Sequence, residues 1–166
     1  MIAATQTPPC DEERLSAAIG PRADLYLRRW REMDEKGRKL SWNWAACLLN
    51  TFWFAYRKMW APMLAMGLAV LVATPFMDPA NKNLLRIILF SLVGLSFLSG
   101  GFGNWLYRRQ VEGRIAETAA MDEAAARAEL EAKGGVSLAA AIAAFVGLTI
   151  LSMIAGMIPA LLAQQG

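Results

Sequence analysis

SWNWAACLLNTFWFAYRKMW, residues 41–60, is the stretch on which the fold turns. Trp42, Ala46, Leu49, Trp53, Tyr56 and Trp60 recur in steps of four and three, drawing one continuous stripe along an α-helix. Asn43, Cys47, Asn50 and Arg57 form a second stripe beside it. No charge interrupts Trp42 to Tyr56, and the run closes on Arg57-Lys58. At ~1.5 Å per residue it reaches ~22 Å, short of the ~30 Å hydrocarbon slab. Trp, Tyr and paired cations favour the boundary between lipid and water. The stretch therefore predicts an interfacial or re-entrant aromatic helix over 41–58, capped by Ser41, that leads into a spanning helix. Reading Trp42 to Tyr56 as a span in its own right would put Arg57-Lys58 outside and reverse every later loop.

On the C-terminal side lie three blocks, 59–77, 87–107 and 136–163, without a single Asp, Glu, Lys or Arg. Each is long enough to cross a bilayer, and none has the polar face of a soluble helix. The expected class is an all-α membrane protein: three transmembrane helices, the Trp-rich interfacial helix, and cytoplasmic helices. Of 17 Lys and Arg residues, ten precede the first block and five lie between the second and third; only Lys82 and Arg86 separate the first two. This alternation predicts a cytoplasmic N-terminus and middle loop and a C-terminus on the far side. No apolar run resembling a cleavable signal precedes residue 40.

Residues 1–40 read as a cytoplasmic helical arm with a flexible tail to residue 10. A short helix starts at Asp11-Glu12-Glu13 and stops at Gly20-Pro21. A second has Pro21 in its first turn and runs to about Lys36, with Leu25, Tyr26, Trp30 and Met33 on one face. Its other face carries Arg22, Arg28, Arg29, Arg31 and Glu35, and either packs beside neighbours or adheres to anionic lipid headgroups. Gly37 to Leu40 form a basic hinge.

Ala61, Ala65, Ala69 and Ala73 make a small-residue ridge on the first span, with Gly67 nearby; Pro75 and Pro79 mark the outer turn. In the second span, Ser96/Gly100 and Ser99/Gly103 leave one face almost bare backbone. Gly100-Gly101 is a place for local unwinding, the aromatic helix is the expected partner, and Asn104 is expected to reach Asn43 or Asn50. Trp105, Tyr107, Arg108 and Arg109 echo Trp53, Tyr56, Arg57 and Lys58, which fits a shared membrane depth. Residues 108–135 predict one charged helix stopped by Gly134-Gly135. The third span has small residues at Ala139, Ala143, Gly147, Ser152 and Gly156, and Pro159 bends or ends it. The tail at 164–166 is inert.

Histidine is absent, and Cys10 and Cys47 have no ligand or disulfide spacing. No cofactor, metal or nucleic acid is implied, and an enzyme is not expected. The candidate interface residues are Trp42, Asn43, Trp44, Asn50, Trp53, Tyr56, Arg57, Lys58, Gly100, Gly103, Asn104, Trp105, Tyr107, Arg108 and Arg109. The expected partners are the lipid bilayer and another membrane protein or a second copy. The function that follows is a non-enzymatic accessory or scaffold subunit; the alternative is an oligomeric pore or a carrier of lipid or small solutes, its polar path lined by asparagines and serines.

Gly20-Pro21 with Asp24, Tyr26-Leu27 and Trp30, then SWNWAA (41–46), FWFAYRKM (52–59) and FGNWLYRR (102–109), resemble the domain of unknown function 2628 family. The similarity extends over roughly residues 20–150. It implies a small bacterial inner-membrane protein with spanning helices, and implies no activity. The chain departs from that pattern at Asn50-Thr51, where members usually carry Gly-Pro, and at Gln110, where His is common.

Overall fold

The computed structural model describes residues 9–78 and 80–163. Of the tail expected over residues 1–10, residues 1–8 lie outside the described residues, as do Pro79 and the 164–166 tail, whereas Pro9 and Cys10 already belong to the first helix. All regular structure among them is helical, in two compact units.

One unit takes the residues up to Ser41 together with Asn104–Val136. Helix α1 (Pro9–Ile19) stops where Gly20 turns left-handed (φ 67°) and donates its N–H to Ser16 O. Helix α2 (Ala23–Glu35) begins after a Pro21-Arg22 turn, so Pro21 lies outside its first turn. It buries Tyr26, Leu27, Trp30 and Met33, one face at helical spacing, while Leu25 is only half-buried. A left-handed Gly37 closes it (φ 56°): Gly37 N–H donates to Asp34 O and Arg38 N–H to Met33 O, a Schellman turn.

The α2 face packs on Tyr107, whose ring centroid lies 4.9 Å from Tyr26 and 5.9 Å from Trp30. Tyr107 and Val111, four apart, are fully buried on the last part of α6 (Lys82–Glu117). Thr118 ends that helix, its hydroxyl donating to Ile115 O. Helix α7 (Glu123–Lys133) follows, capped by the Asp122 carboxylate, which accepts from Ala124 N–H, and buries Ala126 and Leu130. The single charged helix expected over 108–135 is thus two, because Asp122 offers a better start than Thr118–Met121 offers a continuation. Helices α1 and α7 pack together beside the buried Ala18, closed by the Arg14–Glu123 ion pair and by Gly135 N–H donating to Ala18 O.

The second unit holds Trp42–Gly103 and the residues from Ser137 on. Residues 41–60 do not form one helix. Helix α3 (Trp44–Leu49) and helix α4 (Thr51–Tyr56) are separated by Asn50 at φ 42°, ψ −114°. The cap of α3 is Asn43, whose side chain accepts from Ala46 N–H, rather than Ser41. The stripe is broken accordingly: Ala46 and Trp53 are buried, whereas Trp42, Leu49 and Trp60 are exposed.

Helix α5 (Trp60–Ala73) ends in a 3₁₀ turn (Thr74–Phe76) containing Pro75. Its buried position is Gly67, where a methyl group would lie 3.9 Å from Leu148 and 4.0 Å from Thr51; Ala61 and Ala65 face outward. The first part of α6 passes Gly100-Gly101 without unwinding, since helical bonds continue from Lys82 to Glu117. Helix α8 (Leu138–Ala163) packs on α4, α5 and the 3₁₀ turn, with Phe145 against Phe52 (5.2 Å) and Gly147 and Ser152 half-buried. Ala139, Ala143 and Gly156 are exposed, and Pro159 sits inside the helix without ending it.

Among the described residues two helices are long and apolar enough to cross a membrane: α6, with mean hydropathy 1.9, and the run Glu123–Pro159, whose apolar part is α8, at 2.4. The apolar helix Trp60–Phe76 is shorter. Large side chains such as Phe90, Val93, Phe97, Phe145, Ile150 and Met157 are exposed on them.

Candidate functional site

In the second unit the candidate residues form an aromatic saddle on α6. The Asn43 backbone is extended, its N–H donates to Gly100 O at 2.8 Å, and its amide caps α3. That seats α3 directly on the bare face of α6. A Cβ on Gly100 would lie 2.8 Å from Cys47 Cβ and 3.3 Å from Trp42; one on Gly103 would lie 2.8 Å from Ala46 Cβ and 3.5 Å from Trp53. Only glycine permits this approach. The Trp42 ring bridges Trp44 (5.2 Å) and Phe97 (5.8 Å), and Trp44 is itself exposed.

The break at Asn50 aims its amide at α6, where Nδ2 donates to Ser96 Oγ at 3.0 Å. Beyond it Trp53 and Phe54 are buried edge to face. The reversal into α5 is made by Arg57 and a left-handed Lys58 (φ 54°), with Met59 N–H donating to Phe54 O. Tyr56 is half-buried and its carbonyl accepts from Ser137 N–H at the start of α8. The Arg57 guanidinium is buried 5.9 Å from the Tyr56 ring centroid.

In the other unit, Asn104 is fully buried; its Nδ2 donates to Ser41 O (3.2 Å) and Oγ (3.1 Å), and its carbonyl accepts from Trp30 Nε1 (3.2 Å). Asn50 thus donates to Ser96, and Asn104 to Ser41. The Tyr107 hydroxyl donates to Ile19 O. Arg108 is clamped between Asp34 (2.6 Å) and Glu112 (2.7 Å). Its pKa is raised, chiefly by the hydrogen bond to Asp34.

Beside that clamp an open groove of about 560 Å³ is lined by Met33, Asp34, Gly37, Arg38, Lys39, Trp105, Arg108, Arg109 and Glu112. Lys39 Nζ lies 5.6 Å and Arg109 Cζ 5.3 Å from the Trp105 ring centroid. Arg38 and Lys39 are functional candidates that sequence reasoning leaves in the hinge. Their only signal is two cations directly after a glycine able to close a helix. Among the described residues no three His, Cys, Asp or Glu side chains gather as metal ligands.

These features define an all-α protein with two long apolar helices, a shorter third, and aromatic and basic clusters along the longest of them. The chain matches the family described as Protein of unknown function (DUF2628) over residues 11–112, and it belongs to that family. The match takes in both clusters and stops before α7 and α8, short of the limit near residue 150 that the resemblance set. No curated protein and no solved structure matches the chain.

Proposed function

We propose that the chain is a multi-pass protein of the bacterial inner membrane, with α5, α6 and α8 crossing the bilayer, and that it acts as a non-enzymatic scaffold subunit packing on a partner membrane protein or a second copy. The N-terminal arm and α7 lie in the cytoplasm in this scheme, following the distribution of Lys and Arg. With its 3₁₀ turn, α5 is ~27 Å long, a mismatch that slight local thinning accommodates.

One observation carries the proposal. The outward faces of the apolar helices are aliphatic and aromatic, while Asn43, Asn50 and Asn104 turn inward to backbone and serine partners. A pore or carrier needs polar side chains presented to a path; here they hold helices together. Membrane fractions washed with alkaline carbonate should retain the chain, and native mass spectrometry from mild detergent should find it in assemblies larger than one copy. A lone monomer overturns the scaffold role, and solute flux in liposomes that is lost in Asn104→Leu establishes the pore instead.

A further inference from the structure

We infer that the groove beside Trp105 binds the phosphate of an anionic phospholipid headgroup, with Lys39 and Arg109 as its principal ligands and Arg38 at its rim. The inference rests on α6 crossing the bilayer and names a ligand for the end of that helix.

The charge arrangement comes first. The groove is lined by four cations and two carboxylates, and both carboxylates are already taken by Arg108. Among the described residues Arg38, Lys39 and Arg109 have no carboxylate within ion-pair distance. Lys39 and Arg109 are nevertheless drawn to the same indole. Two cations on one ring repel each other, and a bound anion removes that repulsion while keeping both cation–π contacts.

The local fold holds these groups in place. The Schellman turn at Gly37 fixes where Arg38 and Lys39 leave α2. Trp105 and Arg109 lie four apart on continuous α6, hence on one face. The guanidinium is a planar fork that suits phosphate oxygens.

Depth selects a lipid phosphate. The uncharged run 87–107 is ~31 Å long as helix, the thickness of the hydrocarbon slab. Trp105 and Arg109 therefore straddle its end, at headgroup level, where Trp and snorkelling cations reside. The other end of α6 offers a matched control: Lys82 and Arg86 carry the same charge, and Lys82 lies in a cleft with Asp78 and no aromatic ring.

The test is native mass spectrometry of the full chain in mild detergent, titrated with phosphatidylglycerol or phosphatidylcholine of identical acyl chains. The wild type should retain phosphatidylglycerol preferentially. Lys39→Gln with Arg109→Gln should reduce that preference about fivefold per cation removed. Trp105→Leu, which keeps every cation, should also lower it, and Lys82→Gln with Arg86→Gln should leave it unchanged. Equal loss in the control pair overturns the site in favour of diffuse attraction. Complete displacement by excess inorganic phosphate overturns the lipid assignment in favour of a soluble anion. A wild-type chain that resists carbonate extraction yet shows no headgroup preference refutes this inference alone; one that carbonate releases refutes the membrane proposal and this inference with it.

Discussion

Gly103→Ala sets two opposing effects against each other on one helix. In a helix interior alanine is favoured over glycine by ~1 kcal/mol. At position 103, however, the new methyl carbon would stand 2.8 Å from Ala46 Cβ, against a normal carbon–carbon contact of ~3.5 Å or more. Both carbons are fixed directly to backbone, so no rotamer relieves the overlap and the helices must part by roughly 0.7 Å. Such overpacking costs about 1–3 kcal/mol. The net change is a loss of up to ~2 kcal/mol, reached through the same contact that seats α3 on α6.

Gly94 and Gly113 are the internal controls, since both lie on α6 and a methyl group at either meets nothing within 4 Å. There the propensity gain of ~1 kcal/mol stands alone. Thermal unfolding in detergent, followed by size exclusion, should therefore rank Gly113→Ala and Gly94→Ala at or above the wild type and Gly103→Ala below it. A gap of roughly 2–4 °C is expected for each kcal/mol between them. Gly100→Ala should fall with Gly103→Ala, because its methyl would meet Cys47 Cβ at the same 2.8 Å. If Gly103→Ala proved as stable as Gly113→Ala, the close approach of α3 to α6 would be wrong.

The break at Asn50 should tolerate glycine better than any branched residue: Asn50→Gly should keep the melting temperature within ~1 kcal/mol equivalent of wild type, and Asn50→Val should lose about 1–3 kcal/mol in the same assay. Gly134→Ala would drive a methyl group into the carbonyl oxygens of Ala18 and Leu130, so it should undock α7 from α1 and speed limited proteolysis at residues 118–122; unchanged cleavage would contradict that packing. Trp30→Phe keeps an aromatic ring but removes the indole donor to Asn104 O, and should cost about 0.5–1.5 kcal/mol in thermal unfolding; no loss would mean the bond contributes nothing.

The three apolar blocks were legible because an uncharged run of that length has few alternatives, and α5, α6 and α8 occupy them. The bare face at Gly100 and Gly103 was legible for the same kind of reason, since a missing side chain marks where another backbone can come. Helix ends were harder to read. Nothing in the residues at 107–117 announces a change of state, so α6 runs past the last apolar residue of its span to Glu117. The signal that did exist, Asp122 directly before Glu123, was masked by alanine on both sides. The groove at Trp105 was illegible because it depends on the tertiary approach of the 37–39 turn, and no local pattern encodes that distance. The periodicity of 41–60 misled for a different reason. A 3.6-residue repeat survives in sequence even where one residue of positive φ cuts the helix in two.

That cut explains why two different residue pairs can occupy positions 50 and 51. At φ 42° and ψ −114° a side chain is strained and glycine is not, while the first position of α4 suits proline, which has φ preset and no N–H to satisfy. The Gly-Pro usual in the family that the chain resembles therefore makes the turn at little conformational cost. Asn-Thr makes the same turn by compensation. Asn tolerates positive φ better than most residues, and its amide gains a bond to Ser96 that glycine cannot make. The methyl of Thr51 in turn lies beside Gly67 of α5, a contact made on the opposite side of the break. The departure thus pins the break, tying it to α6 through the Asn50–Ser96 bond. A pinned break serves a protein whose work is to hold a surface in one shape, and would hinder one that must open and close around a transported solute.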